Sequence, residues 1–120
     1  MGDLSENFSS EEFKCQCGCG EKEMHPRIIE VLESIREYIQ RPMRITSGRR
    51  CERHNSLFSG AQFSAHITGE AVDFYVGTSI DRFKIIHLLM NLGITRIGVA
   101  QNFIHFDVSK TLPQNVIWLY

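Results

Sequence analysis

Two short β-prone runs of this chain carry ionisable side chains among apolar ones, and this restricts the folds open to it. The runs are Ala71-Val72-Asp73-Phe74-Tyr75-Val76 and Phe103-Ile104-His105-Phe106-Asp107-Val108. Side chains alternate between the faces of a strand, so Ala71, Asp73 and Tyr75 share one face, and Val72, Phe74 and Val76 the other. By the same rule His105 shares a face with Asp107. An uncompensated buried imidazole is costly, and a buried carboxylate must be paired or coordinate a metal. His66, in Ser64-Ala65-His66-Ile67, raises the same question. His66, Asp73 and His105 together make a three-ligand set that suits zinc and leaves a fourth position open. On residue types alone, another reading stands beside it: two satisfied core histidines and a surface-facing aspartate.

The rest of the chain supplies helices to cover such a sheet. Ser9-Ser10-Glu11-Glu12 has the form of a capping box opening a short helical turn that carries Phe13. Pro26 follows His25 near a first helical position, and Ile28, Val31, Leu32, Ile35, Tyr38 and Ile39 recur at three-and-four spacing, which predicts a helix with one buried face ending at Arg41-Pro42. Met43 to Thr46 predicts a short strand broken by Ser47-Gly48, and Arg49 to Phe58 a helical turn or two. Thr78 to Leu92 predicts a second amphipathic helix, with Thr78 and Asp81 as a capping box and Gly93 as its stop. Arg96 to Ala100 and Phe103 to Val108 predict a hairpin, and Val116 to Tyr120 a last edge strand. The expected class is α+β: a small, mainly antiparallel sheet with helices packed on one face, in a single domain over residues 1–120.

Composition sets limits on function. The chain is 42% hydrophobic and 22% charged, with a net charge of -1, which is ordinary for a globular domain and gives no footprint for nucleic acid or a membrane surface. No apolar stretch approaches the ~20 residues needed to span a bilayer. Residues Met1 to Ser10 are polar and acidic and do not read as a secretory signal, so the expectation is synthesis in the cytoplasm. Of the four cysteines, Cys15, Cys17 and Cys19 crowd together in a spacing unlike the C-x-x-C of zinc ribbons. With Cys51 they could form a structural metal site, but reduced, partly buried thiols are the favoured reading.

The spacing Ser64-x-His66-x-x-Gly69-x-Ala71-x-Asp73, followed by His105-x-Asp107, resembles the zinc D-alanyl-D-alanine carboxypeptidase family, which includes phage endolysins and shares its zinc fold with the hedgehog signalling domain. The segment Ile45-Thr46-Ser47-Gly48-Arg49-Arg50-Cys51-Glu52-Arg53-His54-Asn55 resembles another block of that family, and the Phe13–Gly20 segment and Trp118 resemble its small phage and prophage members. The resemblance implies a hedgehog-like or D-Ala-D-Ala peptidase-like fold, with His66, Asp73 and His105 as ligands of one catalytic zinc. It implies hydrolysis of D-amino-acid-containing bonds in peptidoglycan stem peptides. Nothing in the sequence demands more than a monomer, and without a recognisable secretory signal the expectation is action on the wall after release or as part of a phage particle. Arg50 matches the arginine that holds a substrate carboxylate or carbonyl, although Arg49 stands where an aromatic is common. Ser64 is expected to orient His66 or contact substrate, and Gly69 and Ala71 to let the strand approach the site. His54 and Asn55 read as structural partners, and His25 and His87 as unrelated to metal.

In several branches of that family an acidic residue stands three positions before the last histidine; here that position is Asn102, which cannot accept a proton. Asp107 is the leading substitute as general base, or else orients a ligand imidazole, and Glu70 is the other nearby carboxylate. Because of Asn102, a zinc-containing wall-binding or phage structural module without catalysis is the alternative function.

Overall fold

A computed structural model describes residues 2–51 and 64–120. A short 3-10 turn at Ser10–Phe13 precedes helix α1 (Pro26–Ile39), strands β1 (Ile45–Ser47) and β2 (Ala71–Tyr75), helix α2 (Ser79–Asn91), and strands β3 (Arg96–Val99), β4 (Phe103–Asp107) and β5 (Val116–Leu119). The five strands form one sheet in the order β1-β2-β4-β3-β5. The β1/β2, β2/β4 and β3/β4 pairs are antiparallel, while β5 joins β3 in parallel, so the sheet is mixed. Strand β4 lies between β2 and β3, which α2 connects, giving a split βαβ unit.

Local chemistry accounts for the element ends. His25 caps α1, its Nδ1 accepting from the Arg27 N–H at 3.0 Å, and Pro26 takes the first helical position. The helix stops where Gln40 turns left-handed at φ 54°. Thr78 Oγ1 accepts from the Asp81 N–H at 3.1 Å and opens α2. Glu12 accepts from the Ser9 N–H at 2.7 Å and closes the first turn. The expected first strand sits slightly later, because Ser47 pairs with Asp73 across an irregularity in the β1/β2 register. The helical turn expected over 49–58 falls largely outside the described residues.

The two faces of the sheet differ in chemistry. Val72, Phe74, Ile97, Ile104 and Phe106 join Ile28, Val31, Leu32 and Ile35 of α1 and Ile85 and Leu89 of α2 in one core, with Phe8 and Phe13. Both helices therefore contribute to the core on one face, as the patterning predicts. Tyr38, expected on the buried stripe of α1, is 50% exposed. Helix α2 is less amphipathic than expected: Ile80, Phe83 and Met90 are exposed, and only Ile85 and Leu89 are buried. Asp73, His105 and Asp107 lie on the opposite face of the sheet.

Candidate metal centre

Asp73 and His105 are direct cross-strand partners in the β2/β4 ladder. His66 reaches them from the turn before β2, where Ser64 Oγ accepts from the His66 N–H at 3.2 Å. His105 Nδ1 lies 2.8 Å and His66 Nε2 3.4 Å from Asp73 Oδ1, and the ligand atoms of the three residues all fall within 4.8 Å of one another. Tetrahedral zinc with bonds of about 2.0–2.1 Å separates its donors by about 3.3 Å. The donor set fits a metal.

The outer partners fix which ring nitrogens face inward. His66 Nδ1 lies 2.7 Å from the Gly48 carbonyl, which can only accept, so Nδ1 carries the proton and Nε2 is the ligating atom. His105 Nε2 lies 2.7 Å from Asp107 Oδ2, which leaves Nδ1 for the metal. Asp107 in turn takes Arg96 Nε at 2.7 Å on its other oxygen, with the Ser109 N–H at 3.3 Å. Arg96 also donates to the Pro113 carbonyl and lies over the Trp118 ring, 5.0 Å from its centroid.

Charge at the centre is set by these contacts. Burial works against a charged Asp73, yet hydrogen bonds from His105 and His66 hold its carboxyl well below the usual range. Burial likewise opposes a charged His105, but Asp107 and then Asp73 push its pKa up. The site is therefore built around positive charge between carboxylates, a charge that a metal ion can supply in place of a proton.

Arg50 and Arg49 part company, which their sequence left ambiguous. Arg50 Nη2 stands 3.7 Å from Asp73 Oδ2 and its Nε donates to Ser47 Oγ. Arg49 instead pairs with Glu21 at 2.8 Å and donates to the Glu23 carbonyl. Gly69 has φ 77°, and a Cβ there would meet the Glu23 carbonyl, so it serves a tight turn against the entry to α1 rather than an approach to the donor set. Glu70 accepts from Thr68 Oγ1 at 2.6 Å. Asn102 is exposed in the β3–β4 turn, its carbonyl accepting from the Val76 N–H. His25 caps α1 and His87 pairs with Asn91 on α2, each outside the donor set. His54 and Asn55 lie outside the described residues.

Sequence reasoning gave no role to Arg96 or Tyr120. Trp118 packs 5.2 Å from His105, and a Cβ on Gly98, the cross-strand partner of His105, would lie 2.7 Å from its Nε1. The Tyr120 ring packs against Phe103, tilted by 50° with the centroids 4.9 Å apart. Burial and the charge of Asp73 push the Tyr120 phenol up, against Trp118 and Arg50, so it stays a proton donor. Cross-strand neighbours of this kind carry no motif; the signal available was Trp118 and Tyr120 alternating in the last strand. The four cysteines, for which the sequence favours reduced, partly buried thiols over a structural metal site, are gathered with their Sγ atoms within 4.8 Å of one another.

A small α+β domain with a buried His/Asp/His cluster on the open face of its sheet defines a candidate metal-dependent hydrolase. The family model described as Peptidase M15 matches residues 6–107, and the chain belongs to that metallopeptidase family, whose members are like zinc D-Ala-D-Ala carboxypeptidases. No curated protein matches the chain. No helix among the described residues is long and apolar enough to cross a membrane.

Proposed function

We propose that this protein is a zinc peptidase that hydrolyses D-amino-acid-containing peptide bonds of bacterial peptidoglycan, as a D,D-carboxypeptidase or an endopeptidase. It works as a single-domain monomer of the hedgehog and D-Ala-D-Ala peptidase type, on the wall after release or from a phage particle, with no nucleic-acid or membrane partner. The observation that carries the reading is the convergence of His66 Nε2, Asp73 Oδ1 and His105 Nδ1, with the Arg50 guanidinium beside them.

His66, Asp73 and His105 would hold the zinc, which would supply Lewis acidity toward a water and a substrate carbonyl. Arg50 offers a planar fork suited to the carboxylate of a stem peptide or to a developing oxyanion. Ser64 holds the His66 turn and keeps its hydroxyl hydrogen for a substrate carbonyl. Asp107 holds the proton on His105 Nε2 and so orients the ring. With Asp107 engaged by His105 and Arg96, and Asn102 unable to take a proton, a wall-binding module that keeps the zinc but not the chemistry is the second reading.

Digestion of purified peptidoglycan by zinc-loaded protein, followed by mass spectrometry of the muropeptides, tests this. Loss of terminal D-alanine marks a carboxypeptidase and split cross-bridges an endopeptidase; His66→Ala is expected to abolish either product. Co-sedimentation with the wall and no new muropeptide would establish the binding module instead.

A further inference from the structure

Outside the donor set, the chain gathers a second cluster. Cys15 is buried at the start of a loop on which Cys17 and Cys19 are exposed, and Cys51 follows Arg50 beyond β1. The sulfur of Cys15 is 3.4 Å from that of Cys17 and 3.8 Å from that of Cys51, and Cys17 and Cys51 are 3.6 Å apart. Cys19 completes a set whose four sulfurs all lie within 4.8 Å of one another. A disulfide would require about 2.05 Å. A tetrahedron of sulfurs around zinc, with Zn–S bonds of about 2.3 Å, has edges of about 3.8 Å.

The C-x-C-x-C spacing can make such a cluster because the loop is not extended. Gly18 and Gly20 adopt left-handed φ of 86° and 87°, reversing the chain between and after the cysteines. The Gly18 N–H donates to the Cys15 carbonyl at 3.3 Å and the Cys15 N–H to the Glu21 carbonyl at 2.6 Å, closing the loop. Residues Gln16 to Glu23 are all exposed, so apolar burial contributes little to holding them. Cys15 is buried, and its sulfur accepts the Cys51 N–H at 3.5 Å, a contact that favours a thiolate.

We propose that Cys15, Cys17, Cys19 and Cys51 bind a second zinc ion in a closed tetrathiolate site. Four thiols release their protons as the metal binds, leaving a site of net charge −2. Four protein ligands leave no open position, so the role is structural. The metal fastens the 15–21 loop to the chain just past β1, next to Arg50 and close in sequence to Gly48, whose carbonyl orients His66.

The test is cobalt titration of the full chain, stripped of metal and kept reduced. Two equivalents are expected to bind, one of them with the intense thiolate-to-cobalt charge-transfer absorption of tetrahedral sulfur ligation. His66→Ala should lose the other equivalent and keep that absorption, whereas Cys19→Ser should weaken or abolish it. Wild-type protein that binds cobalt without charge transfer overturns the proposal. So does charge transfer that survives the Cys17→Ser, Cys19→Ser double variant. Because the decisive absorption is read on wild type, a variant that fails to fold does not obscure the result. An unchanged stoichiometry in His66→Ala would instead count against the His/Asp/His site alone.

Discussion

Replacing Asp107 by Asn tests whether this carboxylate orients His105 or carries a proton in the reaction. Both oxygens of Asp107 face donors: His105 Nε2 at 2.7 Å and Arg96 Nε at 2.7 Å. An asparagine has one acceptor oxygen and one NH2 group, so it can satisfy only one of them. The Arg96 side chain is 11% exposed and Asp107 is 1% exposed, so the guanidinium has the stronger demand for the oxygen. The NH2 group then faces His105 Nε2, which must accept, and the ring proton moves to Nδ1, the atom that should ligate the metal. Loss of such an outer partner lowers metal affinity roughly 10–100-fold, equivalent to about 1.4–2.7 kcal/mol. Zinc affinity measured against a chromophoric chelator should fall by that factor, with turnover recovered at saturating zinc. A general base would behave otherwise, losing roughly 10²–10⁴-fold in rate however much zinc is added. Unchanged zinc affinity with a rate loss of that size would refute the orienting role.

Gly98→Ala should displace the Trp118 indole and destabilise the domain by about 1–3 kcal/mol, because the new Cβ would lie 2.7 Å from Nε1; denaturant melts and tryptophan fluorescence check it, and an unchanged spectrum would contradict it. Leu32→Ala, at a fully buried position of α1, should cost about 2–5 kcal/mol in the same melts. Glu33 anchors the N-terminal segment through Ser5 Oγ at 2.5 Å and the Asn7 backbone and side-chain N–H groups at 2.7 Å. Partial burial opposes its charge, but these bonds hold its carboxyl below the usual 4.5. A depressed folded-state pKa contributes stability in full above the unfolded value and loses it as pH falls through the folded one. The stability difference between wild type and Glu33→Gln should accordingly be present at pH 7 and shrink below about pH 4.5; a difference that does not vary with pH would contradict the anchor.

Asp73 and His105 were legible because each interrupts an apolar strand, and strand alternation put His105 with Asp107 on one face; His66, in the turn before β2, was legible through the family-like spacing Ser64-x-His66-x-x-Gly69-x-Ala71-x-Asp73. Helix α1 was legible from Pro26 and its apolar spacing, up to Tyr38, which falls at the margin of the buried stripe. Three features depend on contacts between distant segments and leave no local pattern. The parallel β3/β5 pairing follows from how the 108–115 connection crosses the sheet edge. The Arg96–Asp107 pair joins two strands of a hairpin, and nothing in either run marks the partner. The cysteine cluster needs two left-handed glycines to bring its sulfurs together, so its spacing matches no familiar metal motif.

The most direct test of the central claim is zinc removal and stepwise return, read as release of new muropeptides from purified peptidoglycan. Hydrolysis should disappear on chelation, return with added zinc in wild type, and never appear in His66→Ala at any zinc concentration. Full hydrolysis by protein verified to be free of metal, or by zinc-loaded His66→Ala, would contradict the account.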